Sequence, residues 1–313
     1  MAEIPHKIYR YQSFSALSID TLCNDQLYFS NPSNFNDPLD CKPSIECDSD
    51  KNTLQAILSL LIERRVTEEV LASLKAAKVK GEDAENHAKV QGKQEAINQI
   101  NNIAYHATNP DYQVSAEEAE INLLTYEIQS ELQKQNNRGI CCFSEEYDNP
   151  LLWSHYGDQH NGYCVGYSLD RNPKPFINKV IYGGLRTVKT SLIYQALINQ
   201  DSGAQETLDS NVLLRKADPW AYEKEWRIFE SIGLQDSPLK LEEVIFGLRC
   251  SSSVVHCVIE ALKPRDVNFY CMYSEKESFK LKRTNDFYEA CAFLPRTAYS
   301  GVEAFGSLDE DLS

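Results

Sequence analysis

Residues 51–135 place the strongest limit on what this chain can fold into. Leu54, Ile57, Leu58, Leu61 and Ile62 recur at helical spacing, as do Val66, Val70, Leu71 and Leu74. Ser115 and Glu118 have the form of a capping box ahead of Ile121, Leu124, Ile128 and Leu132. Between these runs, Lys75 to Asn102 is far more polar and fits either a solvated helix or a poorly ordered connection. The whole stretch reads as a helical insert. The segments on either side, 1–50 and 136–295, read as one core domain, and 296–313 as an acidic, loose tail.

The flanking segments carry strand signals. Lys7 to Tyr11 alternates, Ser15 to Asn24 reads as a short helix, and Gln26 to Ser30 as a second strand. That strand stops at Asn31-Pro32-Ser33-Asn34-Phe35-Asn36-Asp37-Pro38, too rich in Asn and Pro for helix or central strand. Further strands are expected at 139–143, 163–167, 180–182, 225–230, 243–246, 266–271 and 279–283. Helices are expected at 149–156, 190–198, 207–214 and 251–262.

Charge removes one large class of partners. The net charge is −15 and the pI about 4.9. Proteins that coat duplex DNA need a basic surface to release counterions, so that role does not fit. No window approaches the roughly 18 apolar residues of a membrane span, and Met1 to Arg10 lacks the apolar core of a signal peptide. The expectation is a soluble, cytoplasmic protein with no membrane partner. Ten cysteines scattered without a Cys-x-x-Cys pair then read as buried, reduced thiols, with no metal site assigned.

Three blocks concentrate polar and aromatic chemistry. In a strand, Glu223 and Glu225 would project on the same side, and two neighbouring carboxylates suit acid–base or electrostatic work. The same residues also fit a strand entry with solvated charges and Trp226 in the core. Residues 29–40 form a Pro- and Asn-stiffened loop, of the kind that lines ligand sites or simply makes a well-held turn. In Leu151 to Tyr163, Trp153, His155 and Tyr156 fit either a ligand-facing set or the core face of one helical turn with a structural histidine.

Together these blocks resemble a widespread bacterial family of uncharacterised proteins associated with phage-defence loci. The resemblance is carried by residues 9–11, 27–40, 153–167 and 222–227: Tyr-Arg-Tyr, Leu-Tyr-Phe-Ser through Asn-Asp-Pro, Trp-Ser-His-Tyr, and Tyr-Glu-Lys-Glu-Trp-Arg. A looser likeness supplies a mechanism. ADP-ribosyltransferases of the Arg-Ser-Glu type carry an Arg on the first strand, a Ser on the second and a Glu-x-Glu pair entering a later one. Arg10, Ser30 and Glu223-x-Glu225 occur here in that order. A single serine stands where a Ser-Thr-Ser run is usual, and about 190 residues separate it from the glutamates.

That second likeness implies an α+β fold, a mixed or antiparallel β core with a helical insert, and NAD as substrate. Arg10 would bind the pyrophosphate, Glu225 would stabilise the oxocarbenium-like cation, Ser30 would orient Glu225, and Glu223 would activate an acceptor. Phe35, Trp153 or Tyr156 would stack on a base or the nicotinamide, and Tyr9, Asn36, Asp37 and His155 complete the implied cofactor-binding set. The enzyme would be a toxin or defence effector acting on a protein or nucleic-acid acceptor. Two other readings remain. One is a non-catalytic sensor that binds a nucleotide or a partner. The other is a metal-dependent nuclease or hydrolase holding magnesium on Asp37, Asp40, Glu223 and Glu225.

Overall fold

A computed structural model describes residues 4–134, 138–286 and 298–305. The chain begins β1 (Lys7–Gln12), α1 (Ala16–Cys23), β2 (Gln26–Phe29), a 3-10 turn (Pro32–Asn34) and β3 (Ser44–Glu46). Three long helices follow: α2 (Lys51–Ala76), α3 (Glu82–His106) and α4 (Ala116–Lys134). Then come β4 (Arg138–Ser144), α5 (Pro150–His155), β5 (Tyr163–Ser168), β6 (Asn178–Lys179), β7 (Ile181–Tyr182) and β8 (Thr187–Lys189). Next are α6 (Thr190–Leu197), α7 (Ser202–Leu213), β9 (Arg215–Lys216), a 3-10 segment (Asp218–Glu223), β10 (Glu225–Ser231) and β11 (Gly233–Asp236). The last elements are β12 (Lys240–Phe246), α8 (Ser252–Leu262), β13 (Asn268–Ser274), β14 (Leu281–Thr284) and α9 (Gly301–Phe305).

The elements fall into two compact units. The first comprises Met1–Ile8, Gln26–Glu145 and Arg171–Pro238; the second comprises Tyr9–Asp25, Glu146–Asp170 and Leu239–Ser313. In the first unit β10 lies antiparallel between β4 and β6, with Arg227 opposite Cys142 and Trp226 opposite Phe143. Strands β2 and β11 form an antiparallel pair, while β3 with β8 and β7 with β9 are short parallel pairs. In the second unit the order is β14-β13-β12-β5, with the Tyr9–Gln12 part of β1 beside β5. Only β12 and β13 run parallel there among the pairings described. The fold is thus mixed α and β with a mostly antiparallel sheet. Strand β5, Tyr-Cys-Val-Gly-Tyr-Ser, is buried at every residue, as a strand covered on both faces must be.

The helical reading of 51–135 is realised as three helices. Asp50 caps α2 by accepting from the Thr53 amide, and Ser115 accepts from the Glu118 amide at the start of α4. The apolar stripe of α2 (Leu54, Ile57, Leu58, Leu61, Ile62) meets Leu124 and Ile128 of α4, and the same core takes in Val188, Ile193, Leu197 and Leu208. Arg65 of α2 grips the buried Glu131 of α4 through Nε at 2.7 Å and Nη2 at 3.1 Å. The polar stretch left open by the sequence is α3. It packs on α2 through small side chains, Ala84, Ala88, Gly92 and Ala96, spaced every four residues. Of the tail, only 298–305 is described, where α9 lies; 306–313 and the preceding 287–297 are outside the described residues, as are 135–137.

Gly92 sets how closely α2 and α3 approach. A Cβ there would sit 2.6 Å from Thr67 Oγ1 and 2.7 Å from the Glu63 carbonyl oxygen. Alanine is the better helix former by about 1 kcal/mol, but a backbone carbonyl cannot step aside. Gly92→Ala is therefore expected to destabilise the fold, by about 1–3 kcal/mol, on urea unfolding. An unchanged or raised midpoint would refute the close-approach account.

Candidate functional site

The densest polar chemistry lies inside the first unit, around β10. Arg227 is fully buried, and each of its five N–H groups has a partner. Nε donates to Glu225 Oε1 at 2.7 Å. Nη2 donates to Asp40 Oδ2 at 2.7 Å and to Glu225 Oε2 at 3.3 Å. Nη1 donates to the Leu213 carbonyl at 2.7 Å and to Cys41 Sγ at 3.0 Å. The guanidinium also lies over the Phe35 ring, 5.5 Å from its centroid.

Lys216, on β9, is the second cation. Its ammonium donates to Glu225 Oε2 at 2.8 Å, makes a very short contact with Glu223, and stands 3.6 Å from Asp40 Oδ2. Three carboxylates thus meet two cations, a formal surplus of one negative charge, and all five side chains are buried. The backbone is held as well. The Glu225 amide donates to the Tyr182 hydroxyl at 2.8 Å, and the Ser144 hydroxyl donates to the Glu223 carbonyl at 2.6 Å. Lys224 adopts a left-handed conformation with φ of 44° between the two glutamates.

Ionisation follows from this packing. Burial alone would push the Glu225 carboxyl up, but Arg227 and Lys216 beside it prevail and hold it at about 2. Burial would likewise strip the proton from Lys216, yet Glu225 and Glu223 raise it above its usual range. Burial pushes the Cys41 thiol up to about 12 despite Arg227, so Cys41 is a neutral thiol and no nucleophile.

An open cavity of about 860 Å³ lies beside this network. Helix α7 lends it Glu206, Asp209, Ser210 and Leu213, and β10 lends it Phe229, Glu230 and Ser231. Arg138, Phe176, Asn178 and Leu214 complete the wall. Leu213 is the link: its residue lines the cavity while its carbonyl receives the buried guanidinium of Arg227.

The side chains singled out from the sequence are distributed as follows. Glu223, Glu225 and Phe35 meet in the network just described. Ser30 is half-buried and pairs through its backbone with Ile140. Asn36 is exposed, and the Asp37 carboxylate accepts from the Leu39 amide at 2.8 Å, closing a local turn. These belong to the first unit. Tyr9, Arg10, Trp153, His155 and Tyr156 belong to the second. Trp153 is fully buried, donates from Nε1 to the Tyr147 carbonyl at 2.8 Å and stacks on His160. Tyr156 and Arg10 are half-buried and His155 is exposed. Tyr9 is buried, with its hydroxyl bonded to Glu243.

Sequence reasoning passed over Lys216 in the first unit and a second buried pair in the other. Glu243, 1% exposed, pairs with Arg283, whose guanidinium lies between the rings of Tyr147 and Tyr270 at 4.5 and 4.4 Å. The available signal was a glutamate inside the apolar run Glu243-Val244-Ile245-Phe246. Among the described residues no group of three or more His, Cys, Asp or Glu is placed to hold a metal ion, and no helix is long and apolar enough to cross a membrane.

Residues 152–228 match the model of a family described as "Protein of unknown function (DUF2971)". The matched stretch includes the whole Trp-Ser-His-Tyr block and the whole Glu-Trp-Arg block, and supports a likeness to a family of unknown function; the blocks at 9–11 and 27–40 lie outside it. No curated protein and no solved structure matches the chain.

Two outcomes follow from the network. Arg227→Met leaves buried carboxylates uncompensated, and a loss of about 3–5 kcal/mol is expected in denaturant unfolding; a loss under about 1 kcal/mol would mean the charges are not interdependent. The folded-state pKa of Glu225 lies below its unfolded value, so its contribution to stability is complete above about 4.5 and disappears as pH falls toward about 2. Unfolding midpoints measured across that window should fall for the wild type and fall less steeply for Glu225→Gln. Parallel pH profiles would contradict the assignment.

Proposed function

We propose that the first unit is a small-molecule-binding module whose ligand occupies the cavity walled by α7 and β10, and that the Glu223–Glu225 pair does no chemistry on it. The observation that carries this reading is the state of Glu225: 3% exposed, with its two oxygens already receiving three donor contacts from Arg227 and Lys216. A carboxylate that stabilises a developing cation on a substrate needs an unoccupied oxygen facing that substrate. What this network does provide is a fixed wall, since a ligand meeting a preorganised surface loses less ordering entropy on binding. The volume falls within the range of small-molecule sites. Sensing by a cytoplasmic binding module also suits the defence setting that the family resemblance implies.

A second reading is the NAD-dependent transferase. It is favoured by Glu225 standing ionised at the entry of β10 behind Glu223, the position and protonation state which that chemistry requires. It needs Lys216 and Arg227 to release the carboxylate when NAD arrives, with nicotinamide leaving and ADP-ribose passing to an acceptor.

One experiment separates them. The purified protein is exposed to a small-molecule extract and examined by native mass spectrometry, in parallel with incubation in lysate with labelled NAD. The binding reading expects an unaltered ligand retained by the wild type and lost from Ser210→Trp, which places an indole at the cavity wall, with no label transferred. Transfer of label to any acceptor by the wild type, abolished by Glu225→Gln in a folded variant, would overturn it in favour of the transferase.

A further inference from the structure

The cavity's own charges narrow the ligand further, on the reading just given that it is a binding site. Among the described residues its ionisable lining is Glu206, Asp209 and Glu230 against the single cation Arg138. That cation is already engaged: Arg138 Nη1 lies 3.1 Å from Asp209 Oδ2, and the other Asp209 oxygen accepts from Gln205 Nε2 at 2.8 Å. No described residue pairs with the side-chain carboxylate of Glu206 or Glu230. Among the described residues the site therefore offers two uncommitted carboxylates and no uncommitted cation. Its apolar surface comes from Leu213 and Leu214, from the half-buried Phe229, and from Phe176, a phenylalanine left 80% exposed at the wall.

We infer that the ligand is an organic cation with an aromatic or aliphatic body, a diamine-like molecule, and that phosphate-bearing nucleotides are excluded. Each ammonium would replace water with a carboxylate of Glu206 or Glu230, charge-assisted hydrogen bonds being the stronger kind. The body would lie on Phe176 and Phe229, whose ring faces attract adjacent positive charge. A phosphate would meet like charge with only the committed Arg138 to oppose it. The surplus of negative charge over the whole chain draws cations in the same direction.

The test is calorimetric titration of the full chain with N-benzylputrescine, which carries two ammoniums and one ring, beside benzyl alcohol and AMP. The diamine should bind at least roughly tenfold more tightly than either, and more weakly as salt is raised. Glu206→Gln with Glu230→Gln should weaken it roughly tenfold without changing the unfolding midpoint, since both side chains are exposed and unpaired. Equal affinity in the double variant, or tighter binding of AMP, overturns the cationic ligand while leaving the binding reading intact. Failure of all three probes, together with an extract ligand that Ser210→Trp still retains, overturns the cavity as a site altogether.

Discussion

The burial of Arg227 is the constraint on which the first unit is arranged. A guanidinium removed from water is tolerated only where every N–H finds an acceptor, and here those acceptors come from three separate segments of the chain. Asp40 and Cys41 follow the 3-10 turn, Leu213 ends α7, and Glu225 lies two residues away on the same strand face. Asp40 is separated from Arg227 by 187 residues in sequence. The loop after β2, the end of α7 and the start of β10 are consequently held against one another by charge as well as by the apolar contacts of Cys41, Ile140 and Leu213. Apolar packing alone tolerates sliding and substitution; a five-donor guanidinium does not.

The same constraint separates what the network does from what the cavity does. Side chains whose hydrogen-bonding capacity is exhausted internally make a rigid wall, whereas Glu206 and Glu230, one on α7 and one on β10, keep theirs for something else. Leu213 belongs to both. Its carbonyl completes the coordination of Arg227 while its residue lines the cavity, so a change in the buried cluster would be felt at the cavity through the end of α7. Rigid support next to an uncommitted charged surface is the division of labour expected of a binding site built on secondary structure.

Much of the fold was legible because it obeys simple periods. Helices α2, α4, α6 and α8 show apolar spacing, and β4, β5, β10 and β12 show apolar runs of strand length, so their positions could be read within a few residues. Helix α3 was not legible, because its contact face is Ala84, Ala88, Gly92 and Ala96, and small residues close a helix pair without an apolar moment. The pairs β3–β8 and β7–β9 involve two or three residues each and owe their existence to tertiary contacts. The site was legible in part for a related reason. Glu223 and Glu225 stood out as neighbours in sequence, and Asp40 as a third acid, but Lys216, which with Arg227 keeps Glu225 ionised, carries no local mark. Trp153 stood out as an aromatic among polar residues, and its surroundings in the second unit make it core.

The Glu-x-Glu pair illustrates why such a motif cannot be read without its surroundings. In a regular strand, alternate side chains lie on one face nearly 7 Å apart, well spaced to hold a substrate between them. Here Glu223 closes a 3-10 segment and β10 begins only at Glu225, and the left-handed Lys224 between them turns both carboxylates onto one ammonium. A non-glycine residue in that region costs on the order of 1–2 kcal/mol, a strain that persists only where the surrounding structure fixes the conformation, as the contacts of both acids with Lys216 do here. The same three letters thus encode two different geometries, and the conformation of the middle residue decides between them. Spread on a strand, the pair faces a ligand; folded back around Lys224, it faces the protein's own cation.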